Sequence, residues 1–98
     1  MICTSGIWTV RQGRADEFQR RWQEMVDGMT LDYPELKCRL LRDHREPTRF
    51  VSFDEGWRSI EQVEEASSMP SYQDAIAAVW RVLDEGETAT LELVAEVS

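Results

Sequence analysis

The segment Phe50-Val51-Ser52-Phe53-Asp54-Glu55-Gly56-Trp57-Arg58-Ser59 constrains this chain more than any other. An apolar strand runs into Gly56-Trp57, and Ser59 with Gln62 three residues later has the spacing of a capping box. In that motif the Ser side chain caps a new helix and the Gln reaches back to the backbone before it. A strand that passes directly into a helix commits the second half of the chain to a β–α order. The first half repeats that order.

Residues 2–11 are rich in β-branched and aromatic types and stop before Gln12-Gly13, which predicts a strand. Ile2, Thr4, Gly6, Trp8 and Val10 share one of its faces, because side chains alternate. A helix follows over residues 14–32, carried by Phe18, Trp22, Met25 and Met29 at helical spacing and ended by Tyr33-Pro34. Residues 36–45 form a second strand, with Leu36, Cys38, Leu40, Arg42 and His44 on one face. The turn Arg45-Glu46-Pro47-Thr48 pairs it as a hairpin with a strand over residues 49–54. Beyond Trp57 a short helix reaches about Ala66, and Pro70 opens a longer one striped by Tyr72, Ile76, Val79, Trp80 and Leu83. Gly86 is expected to end it, and residues 88–97 to make the last strand.

The order strand, helix, strand, strand, helix, strand predicts an α+β fold: a ferredoxin-like βαββαβ sandwich whose four-stranded antiparallel sheet carries its helices on one face. Residues 1–98 read as a single domain, and a domain of that size buries only roughly two-thirds of its unfolded surface. Ile7, Leu41, Phe50 and Val94 are expected on the second face of the sheet, where a second copy packed sheet to sheet would cover them. A homodimer follows.

Lys and Arg total 11 against 19 Asp and Glu, a net charge of −8. That sign repels phosphate backbones and anionic lipid, so neither nucleic acid nor a membrane is an expected partner. Cys3 and Cys38 are too few for a disulfide framework and form no Cys-x-x-Cys pair. With neither a signal peptide nor an apolar span in the chain, the expected compartment is the cytoplasm. A lone His, no Gly-rich phosphate loop and no Ser or Cys beside a base argue against metal hydrolysis, nucleotide binding and nucleophilic triads.

Several stretches resemble one family when taken in order: Val10 and Gly13 before Asp16-Glu17-Phe18, Leu40-Leu41-Arg42-Asp43 before Pro47, Arg49-Phe50-Val51-Ser52-Phe53 leading to Trp57, and Thr90-Leu91-Glu92-Leu93-Val94 at the close. Together they resemble the antibiotic biosynthesis monooxygenase domains of the dimeric α+β barrel superfamily. The resemblance implies that fold, a dimer, and a pocket between sheet and helices. It also implies one of several chemistries, among them cofactor-free oxygenation of anthrones or quinols and the degradation of heme.

The heme-degrading branch relies on an Asn, a Trp and a His at places that fall here at Gly6, Glu65 and Ala75. None of them is kept, so neither heme nor metal is an expected cofactor. The anthrone-oxidising branch resembles this chain in placing a Trp at Trp57. It has an Asn four residues earlier on the same strand face, where this chain has Phe53. Oxygenation without a cofactor needs a substrate that becomes an electron-rich anion, a group to ionise it, and a dry pocket. Trp8, Trp22, Trp57 and Trp80 are candidates to wall such a pocket. The candidate site residues are His44, as a base near neutral pH, with Arg42, Tyr72 and Trp57. The leading expectation is a cofactor-independent monooxygenase acting on a small apolar or aromatic molecule, polycyclic or quinol-like. A non-catalytic dimeric barrel binding such a ligand, or a non-oxidative cyclase or isomerase, stands beside it.

Overall fold

A computed structural model describes residues 1–98. The chain runs β1 (Ile2–Val10), α1 (Ala15–Asp32), β2 (Lys37–Arg42), β3 (Arg49–Trp57), α2 (Ile60–Ser68), α3 (Pro70–Trp80) and β4 (Leu83–Glu92). The strands form one four-stranded sheet in the order β2-β3-β1-β4, with every neighbouring pair antiparallel. This is the expected ferredoxin-like arrangement, with its second helix split in two. Ser59 caps α2 by accepting the Gln62 backbone N–H at 3.1 Å, and Gln62 answers by accepting the Arg58 N–H at 2.8 Å. Met69 adopts extended geometry between α2 and α3, because a residue before proline avoids the helical region.

The Cα trace spans 36 × 36 × 18 Å, the thickness of one sheet and one helical layer. Gly6, Trp8 and Val10 of β1 point toward the helices, where Phe18, Trp22, Met25 and Val26 of α1 meet them. Phe18 stacks on Phe50 with ring centroids 4.9 Å apart, and on Trp8 at 6.2 Å. Phe50 therefore belongs to the core, contrary to the expectation that it lies on the open face. Its pairing with Trp8 turns it inward. The open face instead carries Ile7, Val51 and Leu41 in one cross-strand row, flanked by Phe53 and Leu91. Ile7 is 38% exposed, Leu41 52% and Phe53 45%. Val94 lies past the end of β4 and is almost fully exposed.

The helix expected to continue to Gly86 stops at Trp80, and β4 begins at Leu83 instead of residue 88. The run Val79-Trp80-Arg81-Val82-Leu83 suits a helical stripe and a strand entrance equally well. Pairing decides it. Leu83 lies opposite Val10, and the Arg11 N–H donates to the Val82 carbonyl at 2.9 Å, so β4 lines up along the whole of β1. Gly86 then sits opposite Trp8 rather than capping a helix, and a Cβ there would come within 2.9 Å of the Trp80 ring.

One irregularity sets the geometry at the end of β3. Ile2 pairs with Trp57 but Cys3 pairs with Glu55, so Gly56 is an extra residue, a β-bulge with φ +108°. A side chain there would be strained by the backbone angle and would also strike the Glu35 carbonyl oxygen. Gly56→Ala should therefore lower stability by about 2 kcal/mol or more. Denaturant midpoints of the two proteins check this, and an unchanged midpoint would show that the bulge tolerates a side chain.

Candidate functional site

The sheet and the helical layer flank a half-open cavity of about 160 Å³ at the end of the sheet where Trp57 leaves β3. Its helical wall is built from Trp22, Met25 and Met29 of α1, Val63, Ala66 and Ser67 of α2, and Tyr72 of α3. The stripe of α1 and the tyrosine of α3 converge here because both helices lie across the same sheet face. The floor is the inward face of the strands, with Thr4 and Trp8 from β1, Ser52, Asp54 and Trp57 from β3, and Thr88 and Thr90 from β4. The helical wall is thus mostly apolar, with the Ser67 and Tyr72 hydroxyls as its polar groups, while the other polar side chains lie on the floor.

Two hydrogen-bond chains order that floor. The Trp8 indole N–H donates to the Ser52 hydroxyl at 2.9 Å, a buried pair. Gly6 permits it, since a Cβ at that position would collide with the Trp8 ring. The Trp57 indole N–H donates to the Thr4 hydroxyl at 3.0 Å, and the Thr4 hydroxyl donates to Asp54 Oδ2 at 3.0 Å. The direction of this second chain is forced. An indole can only donate, so Thr4 accepts from Trp57 and turns its own proton toward the carboxylate.

Asp54 Oδ1 is buried and has no hydrogen-bond partner. Burial pushes the Asp54 carboxyl above the usual aspartate range, with the neighbouring Cys38 thiol and the Thr4 hydroxyl pulling it part of the way back. Burial, with the Asp54 charge beside it, pushes the Cys38 thiol up to about 12, so it stays protonated. Tyr72 is raised by the same two causes, burial first, and its hydroxyl remains a proton donor at neutral pH. Nowhere do three or more His, Cys, Asp or Glu side chains converge in a way that could hold a metal ion.

Of the residues singled out from the sequence, Trp57 and Tyr72 line the cavity and His44 and Arg42 do not. His44 is exposed in the β2–β3 turn. The same turn is held by Asp43, whose carboxylate accepts the backbone N–H groups of Arg45 and Glu46 at 2.8 and 3.0 Å. Arg42 is exposed, and its guanidinium lies 4.8 Å from the centre of the Phe50 ring. Trp80 packs edge-on against Trp8 at 6.5 Å outside the cavity lining. Glu65 is exposed and accepts the Tyr33 hydroxyl at 2.6 Å.

Sequence reasoning missed Thr4, Ser52 and Asp54, and for the two on β3 the reason is the bulge. Simple alternation puts Phe53, four residues before Trp57, on the face that Trp57 occupies. The extra residue Gly56 reverses that parity, so Phe53 points to the open face and Asp54 shares the inner face with Trp57. The available signal was the run Phe50, Ser52, Asp54, which places two polar residues on the same side as a core aromatic.

The sequence profile of the antibiotic biosynthesis monooxygenase family matches residues 1–78. No curated protein sequence matches the chain. Among solved structures, SnoaB, a cofactor-independent oxygenase from Streptomyces nogalater, superposes with a TM-score of 0.84 at 15% identity, covering 98% of this chain and 95% of its own. A structure of an antibiotic biosynthesis monooxygenase gives 0.78 at 16% identity, with 97% and 100% covered. A conserved protein from Methanosarcina mazei gives 0.79 at 14%, with 92% and 89% covered. At these identities the likeness is one of fold.

The raised carboxyl has a consequence for stability. Between the ordinary aspartate value and the raised one, the folded protein holds more protons than the unfolded chain, so stability falls as pH rises through that window. Asp54→Asn removes the buried charge while keeping an oxygen for Thr4. The variant should be more stable than the wild type at neutral pH, with the gap closing as pH falls toward about 4. Denaturation at several pH values measures the gap, and a gap that does not change with pH would count against a buried, raised carboxyl.

Proposed function

Because this chain belongs to the antibiotic biosynthesis monooxygenase family, we propose that it is a cofactor-independent monooxygenase acting on a hydroxylated aromatic molecule of the anthrone or quinol kind. One observation carries the reading: a cavity walled by indole, phenol and thioether groups, with most of its polar side chains on the sheet side and only Ser67 and the Tyr72 hydroxyl on the helical side. Ligand sites are of this type, apolar with a few placed polar groups. In such a reaction O₂ is the oxidant and the ionised substrate supplies the electrons. One oxygen atom becomes a new carbonyl oxygen on the ring and the other leaves as water, so a ring CH₂ and O₂ become C=O and H₂O.

Trp57 and Tyr72 are the sequence-level candidates this reading retains. The Trp57 N–H is committed to Thr4, which leaves its ring as a fixed wall. The Tyr72 hydroxyl, held protonated, is a donor for a developing oxyanion. Oxygen uptake with an anthrone or a quinol should follow Michaelis kinetics, and Trp57→Phe should disturb KM more than it disturbs folding. Ligand-induced thermal stabilisation without oxygen uptake would instead make the protein a binding module.

The partner is proposed to be a second copy of the chain, seated on the row Ile7, Val51, Leu41 and on Phe53. Support comes from the 18 Å thickness, which leaves that sheet face uncovered. Light scattering should report twice the chain mass, and Phe53→Asp should shift it toward the monomer. A wild type that stays monomeric at micromolar concentration would overturn this. The cytoplasm is the proposed compartment, supported by two free cysteines. No helix is long and apolar enough to cross a membrane.

A further inference from the structure

Resting on the oxygenase reading of the cavity, we infer that Asp54 is the catalytic residue that takes the proton from the substrate's ring hydroxyl, and that the site selects uncharged hydroxylated rings over anionic ones. Asp54 is the only carboxylate among the cavity-lining residues, and no Arg, Lys or His lines it. Its two oxygens are in different states. Oδ2 is held by the Thr4 hydroxyl, which is itself oriented by the Trp57 indole. Oδ1 is buried and makes no hydrogen bond in the structure, with the Cys38 thiol beside the carboxylate. A buried carboxylate oxygen without a hydrogen bond is a standing cost, and a substrate hydroxyl that reaches it would relieve it.

The charge balance favours the same step. When the ring O–H breaks, its electron pair stays on the ring oxygen and the proton forms an O–H bond with Asp54. One negative charge moves from the carboxylate to the ring oxygen, so no additional charge is buried. A substrate that arrived already anionic would place a second negative charge beside Asp54, with no cation in the lining to offset it. The groups facing the carboxylate are Thr4 of β1, held by the Trp57 indole, with Cys38 of β2 and Tyr72 of α3. Cys38 and Tyr72 both remain protonated at neutral pH, so Asp54 is the acceptor among them. α1 contributes Trp22, Met25 and Met29, which do not titrate. The volume points to one ring inside: the cavity measures about 160 Å³, and an engineered cavity of about 150 Å³ holds benzene.

Fluorine NMR titrations with 4-fluorophenol, 4-fluoroanisole and 4-fluorobenzoate test this without turnover. The wild type should bind the phenol about tenfold more tightly than the anisole, the scale of one hydrogen bond to a charged group. It should bind the benzoate weakest of the three at neutral pH. Asp54→Asn should abolish most of the phenol preference, as should lowering the pH far enough to protonate Asp54 in the wild type. In oxygen uptake, the same variant should lose about 10²-fold or more in kcat/KM, together with the acidic limb of its pH profile. Equal binding of phenol and anisole by the wild type, or a preference that survives Asp54→Asn, would overturn the inference and leave the oxygenase reading standing. Asp54-dependent phenol binding with no oxygen uptake from any anthrone or quinol would overturn the oxygenase reading and the catalytic role of Asp54 with it, and leave the selection of uncharged hydroxylated rings standing.

Discussion

Gly56 is one residue more than β1 has partners for, and the floor of the cavity depends on how the sheet absorbs it. An extra residue can be accommodated only by a local kink, and the kink here requires a positive φ and a close approach to the Glu35 carbonyl. Both demands exclude a side chain. The bulge brings Trp57 back onto the face that Ser52 and Asp54 already occupy, where its indole can donate to Thr4. Without it Trp57 would face the open side of the sheet, and Thr4 would have no donor to orient it.

The same floor holds the most costly groups in a small core. Only 16 of the 98 residues are buried, so a carboxylate with one unsatisfied buried oxygen is a large liability for this chain. The surroundings offset part of it. Thr4 supplies one hydrogen bond, and the aromatic cluster of Trp8, Phe18 and Phe50 holds sheet and helices together one step along the strands. Unsatisfied groups that persist in a marginally stable fold concentrate where binding or chemistry will use them. Gly6 and Gly86 serve the same cluster in another way. By lacking side chains they let the Trp8 ring lie across the strands, within reach of Ser52 and beneath Trp80.

The two faces of the sheet divide the chemistry of the molecule. The inner face holds the core and the cavity, and the outer face holds an exposed apolar row bordered by charges such as Arg39 and Glu55. A fold two layers thick cannot enclose both faces by itself. The inner face is therefore complete within one chain, while the outer one stays exposed.

By itself the sequence determined the order of elements, the stripe of α1 and the Ser59 cap of α2, because each rests on residues within a few positions of one another. Phe18 and Trp22 lie on one face of a helix whatever the rest of the chain does, and Ser59 with Gln62 caps α2 locally. Strand facing is legible only as far as simple alternation holds, which is why Trp8 and Val10 share a face as expected while Phe50 and Phe53 lie on the faces opposite to those expected. Parity beyond a bulge is a property of the pairing with β1, and the extra residue appears only when the two strands are set side by side. The boundary between α3 and β4 was decided the same way, by the reach of β1 along its partner rather than by the apolar run itself. Thr4 and Asp54 are 50 positions apart. Only the tertiary structure brings that hydroxyl and that carboxylate together, because a cavity floor is assembled from contacts that no local spacing encodes.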